Sequence, residues 1–352
     1  MGGGPDREAH VALARRLVGA GAPPPQSEGR LPRHRLVPVG AGRQLRRRVD
    51  RPPQGDGRRG GRAADHPAPR RESRGRRVNA QIELLSARSV LGAEPLPDLA
   101  SADRLIFSNS GGKDSIVAMD EGVRRADEAG VRDRIVVLHI DLGRTPRGHS
   151  VEWPGTVDLA RRQAAHYGLP FEVRRMTKWP SLVHRIRARG QFPHLMTRFC
   201  TSEKRGVARR FMTEQVKDLG PLGRPARIVH VMGFRGQESR ARARRPAVEV
   251  DRRASNGRRT VTQWYPVLRW SEAEVWQRIR ENGLPYHWAY DAGMSRLSCS
   301  LCVLASVPDL ECAARLRPEL AREYADLEKE MGVPFRRELS MAEVIRRAGG
   351  SA

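Results

Sequence analysis

Cysteine, lysine and aromatic residues are scarce in this sequence of 352 residues, and long apolar runs are absent. Four cysteines are too few for a disulfide scaffold, and a chain of this length buries a sizeable core without one. A membrane-spanning helix needs about 18 apolar residues in succession, and a secretion signal needs a compact apolar run near the N-terminus. Because neither occurs, the sequence predicts a soluble, cytoplasmic protein with no membrane partner.

Positive charge dominates the composition, with 65 lysine and arginine residues against 40 aspartate and glutamate residues. Of the basic residues 60 are arginine, and the first lysine of the chain is Lys113. Two interpretations stay open. The arginines are either a surface excess that reflects GC-rich coding, or part of a face that binds a polyanion such as nucleic acid.

The first 77 residues differ in composition from the rest of the chain. They contain runs such as Pro23-Pro24-Pro25 and Arg46-Arg47-Arg48, and the first aromatic residue is Phe107. A segment with so little apolar surface cannot offset the entropy cost of ordering its backbone. We therefore expect residues 1–77 to be a disordered Arg/Gly/Pro-rich extension. It would be either the product of a start codon placed too far upstream or a tail that binds RNA.

Short apolar runs alternate with amphipathic stretches from about residue 104 onward. The four runs lie at residues 105–107, 135–140, 171–173 and 228–232, and a capping box from Ser271 to Glu274 opens a later helix. Continuous apolar strands separated by helices indicate a parallel sheet covered on both faces. We predict a Rossmann-like, doubly wound α/β domain over residues 78–290, with its ligand at the carboxyl ends of the strands. Residues 291–352 are expected to add a cysteine-bearing loop and C-terminal helices.

The most specific motif is Ser110-Gly111-Gly112-Lys113-Asp114-Ser115, which lies between the first predicted strand and the first predicted helix. Two glycines allow the backbone to curl around a phosphate, and the amides at the helix N-terminus attract an anion. The hydroxyl groups and the lysine add further donors. Since a loop lysine that faces a ligand buries little surface, we expect Lys113 to be dispensable for folding.

This loop resembles that of the PP-loop ATP pyrophosphatases, specifically the phosphoadenosine phosphosulfate (PAPS) reductase-like branch. Further blocks of the family match Asp141-Leu142-Gly143, Arg198-Phe199-Cys200-Thr201 with Lys204 beyond it, and the segment from Gly233 to Ser239. Two later stretches, 266–276 and 284–293, also match, so the resemblance covers about residues 100–335.

The resemblance implies an adenine nucleotide alpha hydrolase-like fold that binds ATP with Mg²⁺, or an adenylated sulfur nucleotide. Members with an intact loop cleave ATP between the α and β phosphates, and Asp114 or Asp141 would hold the metal. The implied catalytic residues are Lys113, Asp114 and Arg235, and Arg198 and Lys204 would bind substrate or phosphate. The implied nucleotide-binding residues are the three catalytic residues Lys113, Asp114 and Arg235 together with Ser108, Ser110, Gly111, Gly112, Ser115, Asp141 and Gly233.

The cysteines form a second group of candidate ligands: Cys200, Cys299, Cys302 and Cys312. Cys299 and Cys302 have the C-x-x-C spacing that lets two thiolates bind one metal ion or cluster. The resemblance places Cys200 in the same cleft. Three ligands would suit a [4Fe–4S] cluster with one open iron, or one that Cys312 closes. Zinc, a redox disulfide and plain reduced thiols are the alternatives, and Cys312 is alternatively a buried helix residue.

The motifs favour an ATP pyrophosphatase that adenylates a substrate, coupled to sulfur transfer. No cysteine follows Cys312, which speaks against the tail cysteine that the family's reductases use. The alternatives are thiol-dependent reduction of phosphoadenylyl sulfate, adenylyl transfer to sulfate or a flavin nucleotide, and a nucleotide-binding subunit without turnover. Expected partners are an adenine nucleotide, a sulfur donor protein and an acceptor that is either a nucleic acid or a small metabolite.

Overall fold

A computed structural model describes residues 95–350 of the chain. The predicted extension at residues 1–77 lies outside the described residues. In chain order the described part contains β1 (Arg104–Ser108), α1 (Lys113–Glu128), β2 (Ile135–Asp141), α2 (Thr156–His166), β3 (Phe171–Arg175), α3 (Leu182–Arg189), α4 (Phe199–Asp218), β4 (Ala226–Met232), α5 (Arg240–Ala243), β5 (Val248–Val250), β6 (Arg259–Trp264), α6 (Glu272–Glu281), α7 (Val307–Leu316), α8 (Pro318–Met331) and α9 (Met341–Arg347).

The six strands form one sheet in the order β3-β2-β1-β4-β6-β5. All neighbouring pairs are parallel except β5 and β6, which are antiparallel. The chain moves from β1 outward to β2 and β3, and then crosses back to place β4 on the other side of β1. The order of strands therefore reverses between β1 and β4, where sheets of this kind bind their ligands. The predicted doubly wound α/β fold is confirmed.

Alternating side chains of β1 fill two cores, one on each face of the sheet. Leu105 and Phe107 pack with apolar residues of α1 and α6, whereas Ile106 packs with Phe211 and Met212 of α4. Because successive side chains of a strand point to opposite faces, an uninterrupted apolar strand requires this two-sided cover. The continuous apolar runs of the sequence thus match a sheet that is buried on both sides.

The C-terminal helices share a third core with the segment that follows β2. Phe192 lies within 6.0 Å of Tyr324 and 5.3 Å of Phe335, measured between ring centroids. The buried Thr145 hydroxyl donates to Glu323 Oε2 of α8 at 2.6 Å. Residues 95–350 accordingly belong to one compact unit. Among the described helices none is both long and apolar enough to cross a membrane.

Candidate active site

The phosphate loop lies where the sequence predicts it, between the end of β1 and the start of α1 at Lys113. Its shape depends on Asn109, whose Oδ1 accepts hydrogen bonds from the Gly111 amide at 2.9 Å and the Ser115 hydroxyl at 3.0 Å. Gly111 has a φ of +74°, a conformation that glycine adopts without strain. Asn109 is buried and was missed by the sequence analysis, because a single asparagine before a glycine-rich loop carries no distinctive pattern.

Gly233 brings the loop after β4 into contact with the first turn of α1. A Cβ atom at this position would lie 2.5 Å from the carbonyl oxygen of Asp114, so only glycine permits the approach. The contact places the buried Arg235 beside the phosphate loop, where its Nε pairs with Asp114 Oδ1. Arg235 also donates to Gln237 Oε1 at 2.8 Å. The phosphate loop and the segment that contains Gly233 and Arg235, which are far apart in the sequence, therefore meet at the carboxyl edge of the sheet.

The side chain of Lys113 is only 2% exposed, although the sequence predicted that it would bury little surface. Its Nζ donates to the carbonyl oxygen of Ser295 at 2.9 Å and lies 3.2 Å from Glu272 Oε1. The ammonium group also stands 5.1 Å from the centre of the Tyr290 ring. The expectation of a lysine that buries little is wrong, because residues after α6 lie on top of the loop.

The two carboxylates considered as Mg²⁺ ligands both have arginine partners. Asp114 pairs with Arg235, and Asp141 Oδ2 lies 2.6 Å from Arg175 Nη2. The other oxygen of Asp141 accepts a hydrogen bond from the Gly143 amide at 2.8 Å. A metal ion at either carboxylate would compete with a guanidinium group that is already in place.

Ser108 and His230 form a polar pair across the point where the strand order reverses. Ser108 ends β1, and its hydroxyl lies 2.7 Å from Nε2 of His230 on β4. Burial lowers the pKa of His230 to about 4, so the imidazole is neutral near pH 7. The neutral ring fixes the orientation of the half-buried Ser108 hydroxyl at the carboxyl end of β1. The resemblance pointed to Ser108, whereas His230 was missed, because it lies inside an otherwise apolar strand.

A buried His139–Glu152 pair connects the phosphate loop to the cysteine loop. The ring nitrogens of His139 lie 2.9 Å from the carbonyl oxygen of Asn109 and 3.1 Å from Glu152 Oε2. Burial acts to lower the pKa of His139, but the hydrogen bond and charge of Glu152 outweigh it and raise the pKa. The backbone of Glu152 in turn forms an antiparallel bridge with Cys299. The phosphate loop and the C-x-x-C pair are thus joined through two buried side chains.

Three of the four cysteines interact with one another. The Cys299 thiol donates a hydrogen bond to Cys302, which raises the pKa of Cys299 and lowers that of Cys302. Burial, followed by the charge of Cys302, raises the pKa of Cys200 at the start of α4. Lys204 is near enough for its charge to act on Cys200 and Cys299.

Cys312 has a different environment from the other three thiols. It is buried in α7, and its Sγ donates to the carbonyl oxygen of Ala292 at 3.3 Å. The three interacting thiols supply the donor type that iron and zinc bind in proteins. Within residues 95–350, however, no three or more His, Cys, Asp or Glu side chains are arranged to hold a metal ion. Cys200, Cys299 and Cys302 together form a thiol cluster.

Several guanidinium groups converge beside the phosphate loop. Burial and the charges of Arg296, Arg198 and Arg235 lower the pKa of Arg242. Arg242 pairs with Glu238, and Arg296 Nη2 lies 3.8 Å from Glu238 Oε1. A buried Nε atom of Arg296 has no hydrogen-bond partner among the described residues. This excess of cations over carboxylates is suited to an anionic ligand.

Comparisons with known proteins identify the family of this chain. The model of the phosphoadenosine phosphosulfate reductase domain matches residues 104–305. The chain is 28% identical over 233 residues to adenosine 5'-phosphosulfate reductase of Allochromatium vinosum. The aligned region covers 65% of this chain and 80% of that protein. It is also 30% identical over 138 residues to an uncharacterised 37.8 kDa protein of Escherichia phage 186, covering 38% of each chain.

One similar solved structure is the crystal structure of PAPS reductase from Candida auris, determined as a phosphate complex. The match covers 66% of this chain and 98% of the Candida auris chain. Its TM-score is 0.35 at 19% sequence identity. The family assignment rests instead on the domain match, which spans more than half of the chain and includes the phosphate loop, the Arg235 block and the C-x-x-C pair. This chain belongs to the phosphoadenosine phosphosulfate reductase family.

Proposed function

We propose that this protein binds ATP at residues 110–115, cleaves it between the α and β phosphates and adenylates a substrate, in a reaction coupled to sulfur transfer. The observation that carries the proposal is the intact Ser-Gly-Gly-Lys-Asp-Ser loop at the end of β1, with Arg235 beside it. The loop lies where the strand order reverses, at the carboxyl edge of the sheet.

The proposed chemistry is a substitution at the α-phosphorus. An oxygen atom of the acceptor forms a bond to that phosphorus, and the bond to the bridging oxygen breaks so that pyrophosphate leaves. The negative charge on the leaving group must be neutralised as it develops. The donors proposed to do this are Lys113, Arg235 and the amides at the start of α1. Bound Mg²⁺ would add further charge neutralisation.

Thiol-dependent reduction of an adenylated sulfate is the second candidate, favoured by the similarity to adenosine 5'-phosphosulfate reductase. In that reaction two thiols are oxidised to a disulfide and sulfite is released, together with AMP from adenylyl sulfate or adenosine 3',5'-bisphosphate from phosphoadenylyl sulfate. The hydrogen-bonded Cys299–Cys302 pair supports this alternative.

Parallel assays of the purified protein separate the two functions. One assay contains MgATP and measures pyrophosphate, and the other contains adenylyl sulfate or phosphoadenylyl sulfate with a dithiol and measures sulfite. Pyrophosphate from ATP without sulfite supports adenylation. Sulfite release without cleavage of ATP would replace the proposal with the reductase alternative.

The thiol cluster is the basis for the sulfur-transfer part of the proposal. Cys200, Cys299 and Cys302 would hold a [4Fe–4S] cluster, because thiolates are the ligands that such clusters require. Such a cluster, held by three protein ligands, would supply an open iron coordination site for sulfide. The mutual interactions of the three thiols support this ligand set, whereas the contact of Cys312 with Ala292 does not.

Anaerobic purification tests the ligand set through metal content, independently of activity. We expect about four iron and four sulfide ions per wild-type chain, together with broad visible absorption, as for a [4Fe–4S] cluster. The Cys200→Ser variant should lose most of the iron, because one of three ligands is removed. Cys312→Ser is the matched control and should retain it. A wild-type chain that is free of iron, or equal loss from both variants, contradicts the proposed ligands.

The acceptor is proposed from charge alone. The arginines beside the loop favour an acceptor that carries phosphate groups, such as a nucleic acid, or a small anionic metabolite. The proposed sulfur transfer also requires a sulfur donor protein.

A further inference from the structure

Residues 290–297, here called the cover segment, lie directly on the phosphate loop. A Cβ atom added at Gly112 would stand 3.5 Å from Tyr290 Oη and 3.6 Å from Leu297 Cβ. These are ordinary packing distances, and Gly112 is buried beneath the segment, whereas Gly111 is buried mainly against Thr156. The part of the phosphate loop at Gly112 is therefore in contact with the cover segment.

The cover segment also engages two phosphate-binding donors of Lys113. Tyr290 Oη accepts a hydrogen bond from the Lys113 backbone amide at 3.0 Å, and the Ser295 carbonyl accepts from Lys113 Nζ at 2.9 Å. An ammonium group has three protons to donate, whereas an amide has one. The ammonium can therefore serve several acceptors at once, but the amide cannot serve both Tyr290 and a phosphate. The Tyr290 hydroxyl is the stricter competitor.

The cover segment is anchored at both Tyr290 and Ser295. The amide and hydroxyl of Ser295 each donate to the carboxylate of the buried Asp309 in α7, both at 2.7 Å. The Tyr290 ring packs edge-on against Trp276 of α6, with 5.1 Å between ring centroids. Beyond Leu297 the chain continues to Cys299, which is bridged to Glu152. A displacement of the segment would thus reach the cysteine loop.

We propose that Tyr290 and Ser295 are positioning residues that compete with nucleotide phosphates for Lys113, so that nucleotide binding displaces the cover segment and transmits site occupancy to the Cys299–Cys302 loop. This inference rests on the proposed ATP site. A phosphate oxygen carries charge and is a stronger acceptor than a phenol or a peptide carbonyl. ATP therefore takes the Lys113 donors at the cost of the contacts that hold the segment.

The competition predicts an unusual sign for a substitution in a binding site. Tyr290→Phe keeps the ring against Trp276 but removes the competing oxygen, so it should bind the non-hydrolysable analogue AMPCPP with Mg²⁺ about two- to tenfold more tightly than wild type. Ser295→Ala weakens the anchor on Asp309 and should shift affinity in the same direction. Tyr286→Phe is the matched control, because Tyr286 also packs edge-on against Trp276, at 5.4 Å, while its hydroxyl contacts Asp291. Its affinity should equal that of wild type.

Calorimetry with AMPCPP measures these affinities, and hydrogen exchange reports on the segment itself. In the wild-type chain AMPCPP should raise the exchange rate of amides in residues 294–300, whereas in Tyr290→Phe the rate should be raised before ligand is added. Equal or weaker binding by Tyr290→Phe overturns the inference, as does protection of the segment by AMPCPP. If the wild-type chain itself does not bind AMPCPP, the proposed ATP site fails as well. Tight wild-type binding that Tyr290→Phe does not improve refutes the competition alone.

Discussion

Replacing Lys113 with alanine is expected to lower the rate of pyrophosphate release from ATP by tens to hundreds-fold. The side chain supplies charge-assisted contacts to the phosphates, each worth about 1.5–3 kcal/mol, and a tenfold change in rate corresponds to about 1.4 kcal/mol. The substitution also affects folding, because Lys113 is buried and holds the Ser295 carbonyl. An acceptor left without its partner costs about 1–3 kcal/mol of the free energy of unfolding.

Activity and stability can be separated by two measurements on the same variant. Pyrophosphate release is measured at a temperature where circular dichroism shows Lys113→Ala to be folded. Lys217→Ala is the control, since this exposed lysine lies in the last turn of α4 and should leave both quantities unchanged. Pyrophosphate release by folded Lys113→Ala at the wild-type rate would show that residues 110–115 are not the ATP site.

The second large effect is expected from a single added methyl group at Gly233. The new Cβ would lie 2.5 Å from the carbonyl oxygen of Asp114 and 2.7 Å from Cα of Ser115. Both atoms belong to the backbone and cannot be moved by a change of rotamer, so β4 or the first turn of α1 must shift. We expect Gly233→Ala to lower the free energy of unfolding by about 1–3 kcal/mol, the usual cost of overpacking. Nucleotide affinity should fall at least tenfold, because Arg235 and Asp114 move with the backbone.

Gly257 provides a matched control for the substitution of a loop glycine. It lies between β5 and β6, and an added Cβ there would have no atom within 4 Å. Denaturant unfolding and calorimetry of Gly257→Ala should match the wild-type protein. A Gly233→Ala variant that retains wild-type stability and affinity would contradict the close packing of β4 loop and α1.

The sequence predicted the central strands because each is an apolar run buried on both faces. It missed β6, which begins at the buried Arg259 and has polar Thr and Gln residues between Val261 and Trp264 instead of an apolar run. The fold satisfies that guanidinium by hydrogen bonds to the Ala254 carbonyl and the Thr213 hydroxyl, both at 2.8 Å. Helix α4 was missed because only five of its 20 residues are buried, too few to produce an apolar stripe. Local patterns do not reveal such elements when distant residues supply their partners.

The same reasoning explains what was missed at the candidate site. The phosphate loop is a contiguous motif, so its position could be predicted from sequence. The burial of Lys113 depends on Tyr290 and Ser295, which are 177 and 182 residues away in the chain. The link from His139 to Glu152 likewise depends on packing, since neither residue belongs to a motif. The sequence identified the side chains that could bind a ligand or take part in catalysis. It did not reveal the contacts that hold these side chains in place.

The products formed from ATP labelled at the α- or γ-phosphate test the central claim most directly. The purified protein is incubated with MgATP, with and without pools of total RNA and small metabolites as acceptors, and the labelled products are separated. Cleavage between the α and β phosphates predicts that the γ label appears in pyrophosphate, and that the α label appears in AMP or in an adenylated acceptor. Release of the γ label as inorganic phosphate with ADP, or no cleavage by a chain that releases sulfite from adenylyl sulfate, would contradict it.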